Sequence, residues 1–182
     1  MEITLETRTE GDTDPGCHGP LAELFRTAIN PRQFPGRRSW AGARPEYRII
    51  ARIDDVIVGH LGVLMKDILV DGVPHRAGQV GLQAVDPRCT GFGITGRTQL
   101  AAAALLRELG AAFGFANVGE TRMPGFTGYG WIHVDRAETR LFVASSPFRT
   151  RRLRYPIVVL PITLPAERLL GAALFDINGF EL

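Results

Sequence analysis

The chain has 182 residues, of which 45% are hydrophobic and 22% charged, a composition typical of a globular protein with one core. A formal net charge of +2 imposes no basic face for nucleic acid, and two cysteines make neither a disulfide framework nor a metal-binding spacing. No apolar stretch approaches the ~18 residues of a membrane span, and the N-terminus lacks the pattern of a secretory signal. We therefore expect a single domain over residues 1–182, without a metal and in the cytoplasm.

The first quarter of the chain predicts a strand, a helix and a long loop. Apolar and polar residues alternate over residues 2–9, and apolar residues recur at helical spacing over 21–29, where Pro31 ends the helix. Residues 30–45 contain three prolines and two glycines and have no periodicity. A loop of this length inside a compact domain is often functional, so we expect an ordered loop or a lid.

Three antiparallel strands are predicted next. They cover residues 46–53, residues 56–65 with a continuation to Val70 through a kink, and residues 78–85, with turns at 54–55 and 71–72. Lys66 is the only lysine of the chain, and we attribute the preference for arginine to codon usage in a GC-rich genome.

A central helix follows the third of these strands. Apolar or small residues share one helical face, and Gly110 is a plausible C-terminal cap. The residues of that face are Ile94, Thr98, Ala101, Leu105 and Leu109. The buried segment 112–117 should then form a strand parallel to the strand before the helix. Residues 119–130 read as irregular or as a poor helix. Later elements are predicted as strands over 131–134, 140–143 and 155–162, with a short helix near 166–174 before an irregular tail.

This order of elements predicts an α+β fold. The sheet is expected to be mixed, mostly antiparallel and twisted, with one splayed parallel strand pair and flanking helices. Two diverging parallel strands cannot pair along their whole length. A pantetheine arm, which is itself an amide chain, can lie in the resulting groove as a pseudo-strand.

The turn between the third strand and the central helix carries Arg88-x-x-Gly91-x-Gly93. Unpaired backbone N–H groups and the helix dipole both favour an anion at such a helix start, although an ordinary capping loop is the alternative. The pattern is neither a dinucleotide-binding fingerprint nor a P-loop. It resembles the pyrophosphate loop of the GNAT N-acyltransferase superfamily. The resemblance implies that the N–H groups of Thr90 to Ile94 hold the phosphates of coenzyme A or of a phosphopantetheine arm, which Gly91 and Gly93 allow to approach closely.

Several further segments resemble the nodulation protein A family of N-acyltransferases, from about residue 34 to the end and least between 120 and 155. They are Gly36-Arg-Arg-Ser-Trp-Ala-Gly-Ala-Arg-Pro-Glu46, Gly59-His-Leu-Gly62, residues 82–94, Leu109-Gly-x-x-Phe113 and Asp176-x-Asn-Gly-x-Glu-Leu182. The resemblance implies a GNAT fold and transfer of an acyl group from an acyl carrier protein or acyl-CoA to an amine, with the thioester as co-substrate and no tightly bound cofactor. Members of the family acylate the free amine of a chitin oligosaccharide, but the resemblance does not imply that same acceptor here.

The donor site implied by this resemblance extends from the third strand into the helix. A backbone N–H near Leu82 to Ala84 is expected to stabilise the oxyanion of the thioester carbonyl. The residues expected to bind the donor are Leu82, Ala84, Val85, Arg88, Thr90, Gly91, Phe92, Gly93, Ile94 and Asn117.

The chain departs from the family at the two positions where the resemblance would place the base and the acid. Gln79 stands where the family has a glutamate, and an amide is no base near neutral pH. Counting back from the Gly130-Trp131 pair reaches Phe126 where many GNAT enzymes have a tyrosine acid, with Tyr129 nearby but out of register. The base therefore lies elsewhere, acts through a water, or is not needed.

The other candidates for proton transfer are His60, Glu46 and Glu120. His60 has the pKa that suits a base, although a lone histidine on a strand is commonly structural. Glu46 can orient the amine, or it can form an ion pair with Arg44 or Arg48. Cys89 as a nucleophile is the rival to direct attack, but no histidine neighbours it in the sequence.

Two basic segments are candidates for substrate binding. Arg38, Trp40 and Arg44, with Arg37, can line an acceptor pocket or can simply pack the loop. The run Arg149-Thr-Arg-Arg-Leu-Arg154 reads as a solvated loop, or as a surface for an acidic acyl carrier protein or the 3′-phosphate of coenzyme A.

The sequence thus predicts an N-acyltransferase in which the amine attacks the thioester directly. One alternative is an acetyl-CoA-dependent N-acetyltransferase of a small amine or antibiotic. The other is a degenerate GNAT protein that binds acyl-CoA or a carrier protein without turnover.

Overall fold

The computed structural model describes residues 2–143 and 146–182, and side chains 143–149 lie outside this description. The described helices are α1 His18–Ala28, α2 Ile94–Glu108, α3 Pro124–Thr127 and α4 Ala166–Leu170. The described strands are β1 Ile3–Thr9, β2 Tyr47–Ile53, β3 Val56–Val70, β4 Val73–Val85, β5 Phe113–Asn117, β6 Ile132–Val134, β7 Glu138–Val143, β8 Ser146–Leu153, β9 Ile157–Pro161 and β10 Leu174–Asp176.

The chain folds as two compact units, and it passes from one to the other within β3, β4 and α2. The first unit contains residues 1–64, 80–102 and 182, and the second contains residues 65–79 and 103–181. Each unit has its own apolar cluster, and the prediction of a single domain over 1–182 is left as a prediction.

In the first unit, β1 pairs antiparallel with β2, and β2 pairs antiparallel with β3. The hairpin turns at Asp54 and Asp55, which both have positive φ, as predicted for a two-residue turn. The apolar face of α1 packs on these strands, because Leu21, Leu24 and Phe25 join Phe34 and Ile50 in one buried cluster.

In the second unit the sheet order is β6-β9-β5-β4-β3-β10-β7-β8. The buried cluster of this unit is built on phenylalanines of three strands, Phe113 and Phe115 of β5 and Phe175 of β10. Gly78 lies so close to Leu106 of α2 that a Cβ at this glycine would be 1.9 Å from Leu106 Cδ2. The helix therefore packs directly on the backbone of β4 within this unit.

The parallel pairing of β4 with β5 is confirmed, and it is short. Only Ala77 to Gln79 pair with Phe113 to Phe115, although β4 continues to Val85 and β5 to Asn117. The described strands include a second parallel pair, β10 with β7, in addition to the predicted one.

The other differences concern the elements after residue 94. The buried side of α2 is formed by Ile94, Thr98, Ala102 and Leu106, with Ala101, Leu105 and Leu109 only partly buried, so the predicted face was turned by about one residue. The basic run 149–154 belongs mostly to strand β8, which pairs with β7, rather than to a loop. The tail, expected to be irregular, contains β10 because residues 174–176 find partners in β3 and β7.

Candidate functional site

The loop between β4 and α2 begins with a tight turn that Asp86 caps. The Asp86 carboxylate accepts a hydrogen bond from the backbone N–H of Arg88 at 2.9 Å, and Pro87 to Cys89 form one turn of 3-10 helix. The Thr90 hydroxyl donates to the Pro87 carbonyl at 2.9 Å. These contacts fix the backbone conformation in the first half of the loop. The second half contains Gly91 and Gly93.

Gly91 and Gly93 both adopt the left-handed backbone conformation, with φ values of +89° and +74°. No atom lies within 4 Å of the position that a Cβ would take at either glycine, so the space beside this backbone is open. Among the described hydrogen bonds, none is donated by the N–H groups of Gly91, Gly93 or Ile94. The first turn of the 15-residue helix α2 follows at once, so its dipole adds to these donors. This half of the loop has the properties of an anion site.

The side chain of Arg88 does not point over the glycines in this structure. Its guanidinium folds back onto Asp86, 2.7 Å from Oδ2, and is 84% exposed. Hydrogen bonds and charge from Arg88 lower the pKa of Asp86. The expectation that Arg88 binds the donor remains a prediction, since this guanidinium would have to exchange Asp86 for a phosphate.

The predicted donor strand is irregular at Leu82. This residue lies inside β4 with a φ of +52°, a conformation that costs a non-glycine residue about 1–2 kcal/mol. Such residues persist only where neighbouring groups hold them. The neighbour is His60 of β3, whose Nδ1 lies 2.9 Å from the Leu82 carbonyl oxygen.

His60 is the middle of a buried polar chain in the first unit. Its Nε2 lies 3.2 Å from Nη1 of Arg48, and Arg48 in turn donates to both carboxylate oxygens of Glu10. Arg48 also donates to the Ser39 carbonyl at 3.3 Å, and both Arg48 and His60 are fully buried. Burial opposes the charge on Glu10, but the guanidinium groups of Arg48 and Arg44 offset it and lower the pKa of this carboxyl.

These contacts determine the tautomer of His60 and argue against its expected role as base. An arginine can only donate, so Nε2 is the acceptor and Nδ1–H donates to Leu82. Burial, followed by the charge of Arg48, lowers the pKa of His60 to about 3. With both nitrogens engaged and no exposed surface, His60 cannot accept a proton from a substrate. It holds the backbone of β4 instead.

The three residues predicted to bind the acceptor do lie together. The guanidinium carbons of Arg44 and Arg38 lie 4.8 and 5.4 Å from the centroid of the Trp40 ring, and the ring of His18 meets it edge-on at 6.1 Å. Arg44 also pairs with Glu10, so this cluster is linked to the chain that ends at Leu82. The link runs from the loop to the strand through Glu10, Arg48 and His60.

Gln79 and Asn117 lie in the second unit. Gln79 is 1% exposed, and its Oε1 lies 3.5 Å from Nζ of Lys66. Asn117 donates to Glu181 at 2.9 Å and accepts from Thr139 at 2.8 Å. Its amide thus joins β5 to β7 and to the C-terminal segment, and its expected role in donor binding stays a prediction.

The structure adds no support for a catalytic role of the remaining candidates. Glu46 is exposed just before β2, and both Arg44 and Arg48 form ion pairs with Glu10. Tyr129 is partly buried after α3 and stays a prediction, while Phe126 is 3% exposed and packs edge-on against Trp131 at 5.4 Å.

The other candidates are Glu120, Cys89 and the basic run in β8. Glu120 is exposed at the start of a 3-10 turn, and Cys89 is a partly buried free thiol in the first turn of the loop. In β8, Arg151 and Arg152 are exposed, whereas the side chain of Arg149 lies outside the described part of the chain.

A cavity of about 560 Å³ adjoins the loop in the first unit. Its lining combines apolar, acidic and other polar side chains from α1, from the start of β3 with the turn before it, and from the loop, namely Pro20, Glu23, Leu24, Thr27, Asp55, Val56, Ile57, Asp86 and Arg88.

Few signals in the sequence point to the residues that organise the two units. Glu10 and Arg48 carried no motif, and Glu181 was noted only as part of a family resemblance. The one signal for Lys66 was that it is the only lysine in a chain rich in arginine, which we had attributed to codon usage.

The sequence is similar over its whole length to nodulation protein A sequences. The sequence profile described as nodulation protein A matches residues 1–182. Nodulation protein A of Bradyrhizobium sp. (strain ANU 289) is 32% identical over 197 residues, covering 100% of this chain and 92% of that protein. The protein of the same name from Mesorhizobium plurifarium is 33% identical and covers 91% of this chain and 90% of its own length.

Solved structures with a similar fold include GNAT N-acetyltransferases. A GNAT family N-acetyltransferase from Escherichia coli, solved in complex with CoA, matches with a TM-score of 0.60 at 15% identity, over 97% of this chain and 91% of that one. The ribosomal-protein-S18-alanine N-acetyltransferase of Escherichia coli matches with a TM-score of 0.54 at 13% identity, over 90% and 97%. At these identities the likeness concerns the fold, and the predicted GNAT fold is confirmed. No helix in the described part of the chain is long and apolar enough to cross a membrane.

Proposed function

The chain belongs to the nodulation protein A family, which is a family of N-acyltransferases, and from that premise we propose that it transfers an acyl group from a phosphopantetheine thioester to a primary amine. The thioester is carried by coenzyme A or by an acyl carrier protein. The single observation that carries the donor half is the loop at the start of α2, where three backbone N–H groups have no described partner and the glycines leave open space.

In this proposal the loop holds the phosphate, and β4 holds the thioester. The N–H groups of Gly91, Gly93 and Ile94 donate to phosphate oxygens, and the helix dipole favours their charge. The pantetheine lies along Leu82 to Val85, where a backbone N–H stabilises the developing oxyanion of the carbonyl.

The amine attacks the thioester carbonyl directly, without an acyl-enzyme. His60 contributes by fixing Leu82 rather than by moving a proton, since both its nitrogens are engaged. The acceptor approaches the loop of residues 30–45, where the guanidinium groups of Arg38 and Arg44 lie over the Trp40 ring. An aromatic ring beside guanidinium groups suits a sugar or an apolar amine.

The first experiment measures turnover. The purified protein is incubated with acetyl-CoA, palmitoyl-CoA or palmitoyl acyl carrier protein and with a panel of amines that includes deacetylated chitin oligosaccharides, and products are identified by mass spectrometry. We expect an N-acylated product and release of the free thiol. CoA binding without product in any combination would contradict the proposal and favour a binding-only protein.

The second experiment tests the donor loop by comparing Gly93→Ala with Gly110→Ala. Both glycines have left-handed φ, of +74° and +70°, and both have open space beside them at opposite ends of α2. The two substitutions therefore cost a similar backbone strain, of roughly 1 kcal/mol. We expect only Gly93→Ala to raise KM for the thioester, by about tenfold for each ~1.4 kcal/mol of phosphate binding lost. Equal KM values in the two variants would contradict phosphate binding at this loop.

A further inference from the structure

A partly buried imidazole lies beside the residues proposed to bind the acceptor. His18 is the first residue of α1, and its ring meets the ring of Trp40 edge-on, with the centroids 6.1 Å apart. Its Nδ1 lies 2.8 Å from Oγ of Ser39, which is fully buried. An acceptor that binds at Trp40 therefore meets the imidazole of His18 as a direct neighbour.

Contacts within the first unit connect His18 to the donor strand. The Ser39 carbonyl accepts from Nη1 of Arg48 at 3.3 Å, and Arg48 lies 3.2 Å from Nε2 of His60. His60 in turn holds the Leu82 carbonyl at 2.9 Å. All of these residues belong to the first unit, as do the glycine loop and the strand along which the thioester is proposed to lie. The backbone at Leu82 and the position of His18 are therefore fixed by one set of contacts.

The second ring nitrogen of His18 is left open by these contacts. Among the described hydrogen bonds, the imidazole of His18 takes part in one, between Nδ1 and Ser39, whereas both nitrogens of His60 are engaged. The two nitrogens of an imidazole lie on opposite sides of the ring, so Nε2 of His18 points away from Ser39. A ligand at Trp40 can therefore reach this nitrogen.

Ser39 allows Nε2 of His18 to gain and lose a proton. A serine hydroxyl accepts a hydrogen bond as well as donating one. When Nδ1 carries the hydrogen, it donates to Ser39 Oγ, and the lone pair lies on Nε2. The same bond is kept after Nε2 takes up a proton, because both nitrogens of an imidazolium are donors. The ring therefore keeps its orientation in both protonation states.

The surroundings of His18 favour its neutral form. Burial is the largest cause that lowers its pKa, and the charge of Arg48 on β2 lowers it further. Arg44 and Arg37, both in the loop of residues 30–45, act in the same direction, and Glu10, which follows β1, opposes them. The N-terminus of α1 also disfavours a positive charge. At neutral pH the imidazole is therefore uncharged and able to accept a proton.

The other titratable groups of this polar chain are unsuited to that task. Burial raises the pKa of Glu10, but its hydrogen bonds with Arg48 and Arg44 outweigh burial and lower it. His60 has no exposed surface, and its pKa is lowered to about 3. Within the described chain from Glu10 to Leu82, His18 combines partial exposure with a nitrogen that no described group contacts.

We propose that His18, held by Ser39, is the catalytic residue that takes the proton from the acceptor amine. As the amine nitrogen forms its bond to the thioester carbon, Nε2 of His18 takes one proton from that nitrogen. The carbon–sulfur bond then breaks with its electron pair on sulfur. The imidazolium gives its proton to solvent and the thiolate takes one from solvent, so that amine and thioester become amide and thiol with no other reactant. This inference rests on the function proposed above.

The test compares the wild type with His18→Asn. The side-chain amide of asparagine takes the place of Nδ1 and still donates to Ser39, but it cannot accept a proton. We expect kcat at about pH 8 to fall by about 100-fold or more, with KM for the thioester little changed. The control is His133→Asn, which replaces a histidine of the second unit whose side chain is 35% exposed and should keep the wild-type kcat.

The ratio of kcat/KM in the wild type to that in His18→Asn is then followed across pH, since the titration of the acceptor amine cancels in it. Neutral His18 is the active form, so the ratio should be highest above the pKa of His18 and should fall towards one as the pH drops through it. That fall should lie below about pH 6.5, the ordinary pKa of histidine. A wild-type kcat in His18→Asn, or a loss of the same size at every pH, would overturn the proposal.

Two further measurements need no change at position 18. The titration of the His18 ring in the wild-type protein is followed by NMR, with the signal identified by its contact with Trp40. It should coincide with the acid limb of kcat/KM, and a mismatch overturns the proposal. Mass spectrometry of the intact protein during turnover should show no acyl group on Ser39. An acylated Ser39 would make this residue a nucleophile, and would overturn both the role of His18 and the direct attack.

The two proposals fail in different ways. Absence of turnover by the wild-type protein contradicts the proposed function. Turnover that keeps its rate and its pH profile in His18→Asn contradicts only the inference about His18.

Discussion

At the scale of single residues, the decisive feature of the first unit is a set of charges that the protein keeps away from water. Glu10 accepts from Arg48, which is fully buried, and from Arg44, whose side chain is 52% exposed. The same carboxylate thus serves two arginines in different surroundings. Removing Arg48 should destabilise the protein more than removing Arg44, because the loss of one partner of a buried pair leaves a buried charge without compensation.

This difference gives a matched pair of stability predictions. Arg48→Met should lower the free energy of unfolding by about 3–5 kcal/mol, because Glu10 and His60 lose a buried partner. Arg44→Met removes a solvent-screened pair and should cost about 0–1 kcal/mol. Urea unfolding of the two variants measures both values, and equal losses would mean that burial does not decide the contribution of Arg48.

At the scale of elements, the start of α2 is positioned by close packing on a glycine of β3. A Cβ at Gly59 would lie 2.4 Å from Cγ2 of Ile94 and 3.0 Å from Cβ of Ala51. Ile94 is the first residue of the helix and directly follows the donor loop. A larger residue at position 59 would therefore move the loop as well as the helix.

The prediction at this scale is that Gly59→Ala lowers the free energy of unfolding by about 1–3 kcal/mol through overpacking and also raises KM for the thioester. Adding Ile94→Ala to Gly59→Ala removes the clashing methyl group. The double variant should therefore be more stable than the sum of the two single changes predicts. Additive losses would show that the two residues are not in steric conflict.

At the scale of the molecule, the charge of the protein bears on the choice of donor. The formal net charge is only +2, yet Arg151 and Arg152 are exposed on β8, at the end of the described strand order. Arg152 is partly neutralised by Glu138 at 3.3 Å. An acidic acyl carrier protein can be steered by such a strand, whereas in the proposed function coenzyme A binds at the loop.

We therefore predict that replacing Arg151 and Arg152 by glutamate lowers kcat/KM for an acyl carrier protein thioester by about tenfold or more and weakens its salt dependence. The same change should leave kcat/KM for acyl-CoA near the wild-type value. The control replaces Arg107 and Arg168 by glutamate, so the change in net charge is the same. Both arginines are exposed and lie on helices. If the control variant loses as much kcat/KM for the acyl carrier protein thioester, the net charge of the protein rather than the arginines of β8 determines the loss.

The sequence by itself determined the local structure and the family. Alternation over 2–9, the aspartate turn at 54–55 and the glycine loop before α2 each depend on neighbours a few residues apart, so their signals were readable and the structure has them. The GNAT fold and the membership of an N-acyltransferase family likewise followed from short segments that retain their residues in order.

Only the tertiary structure decided which side chains are able to exchange protons. His60 had the right ordinary pKa, but Arg48 and the Leu82 carbonyl engage both its nitrogens, and burial lowers its pKa to about 3. His18 has the same ordinary pKa, but it is only partly buried, and its imidazole takes part in one described hydrogen bond, with Ser39. The pKa of a side chain is set by solvent exclusion and by charges that arrive from distant parts of the chain, and neither is encoded in the residues next to it.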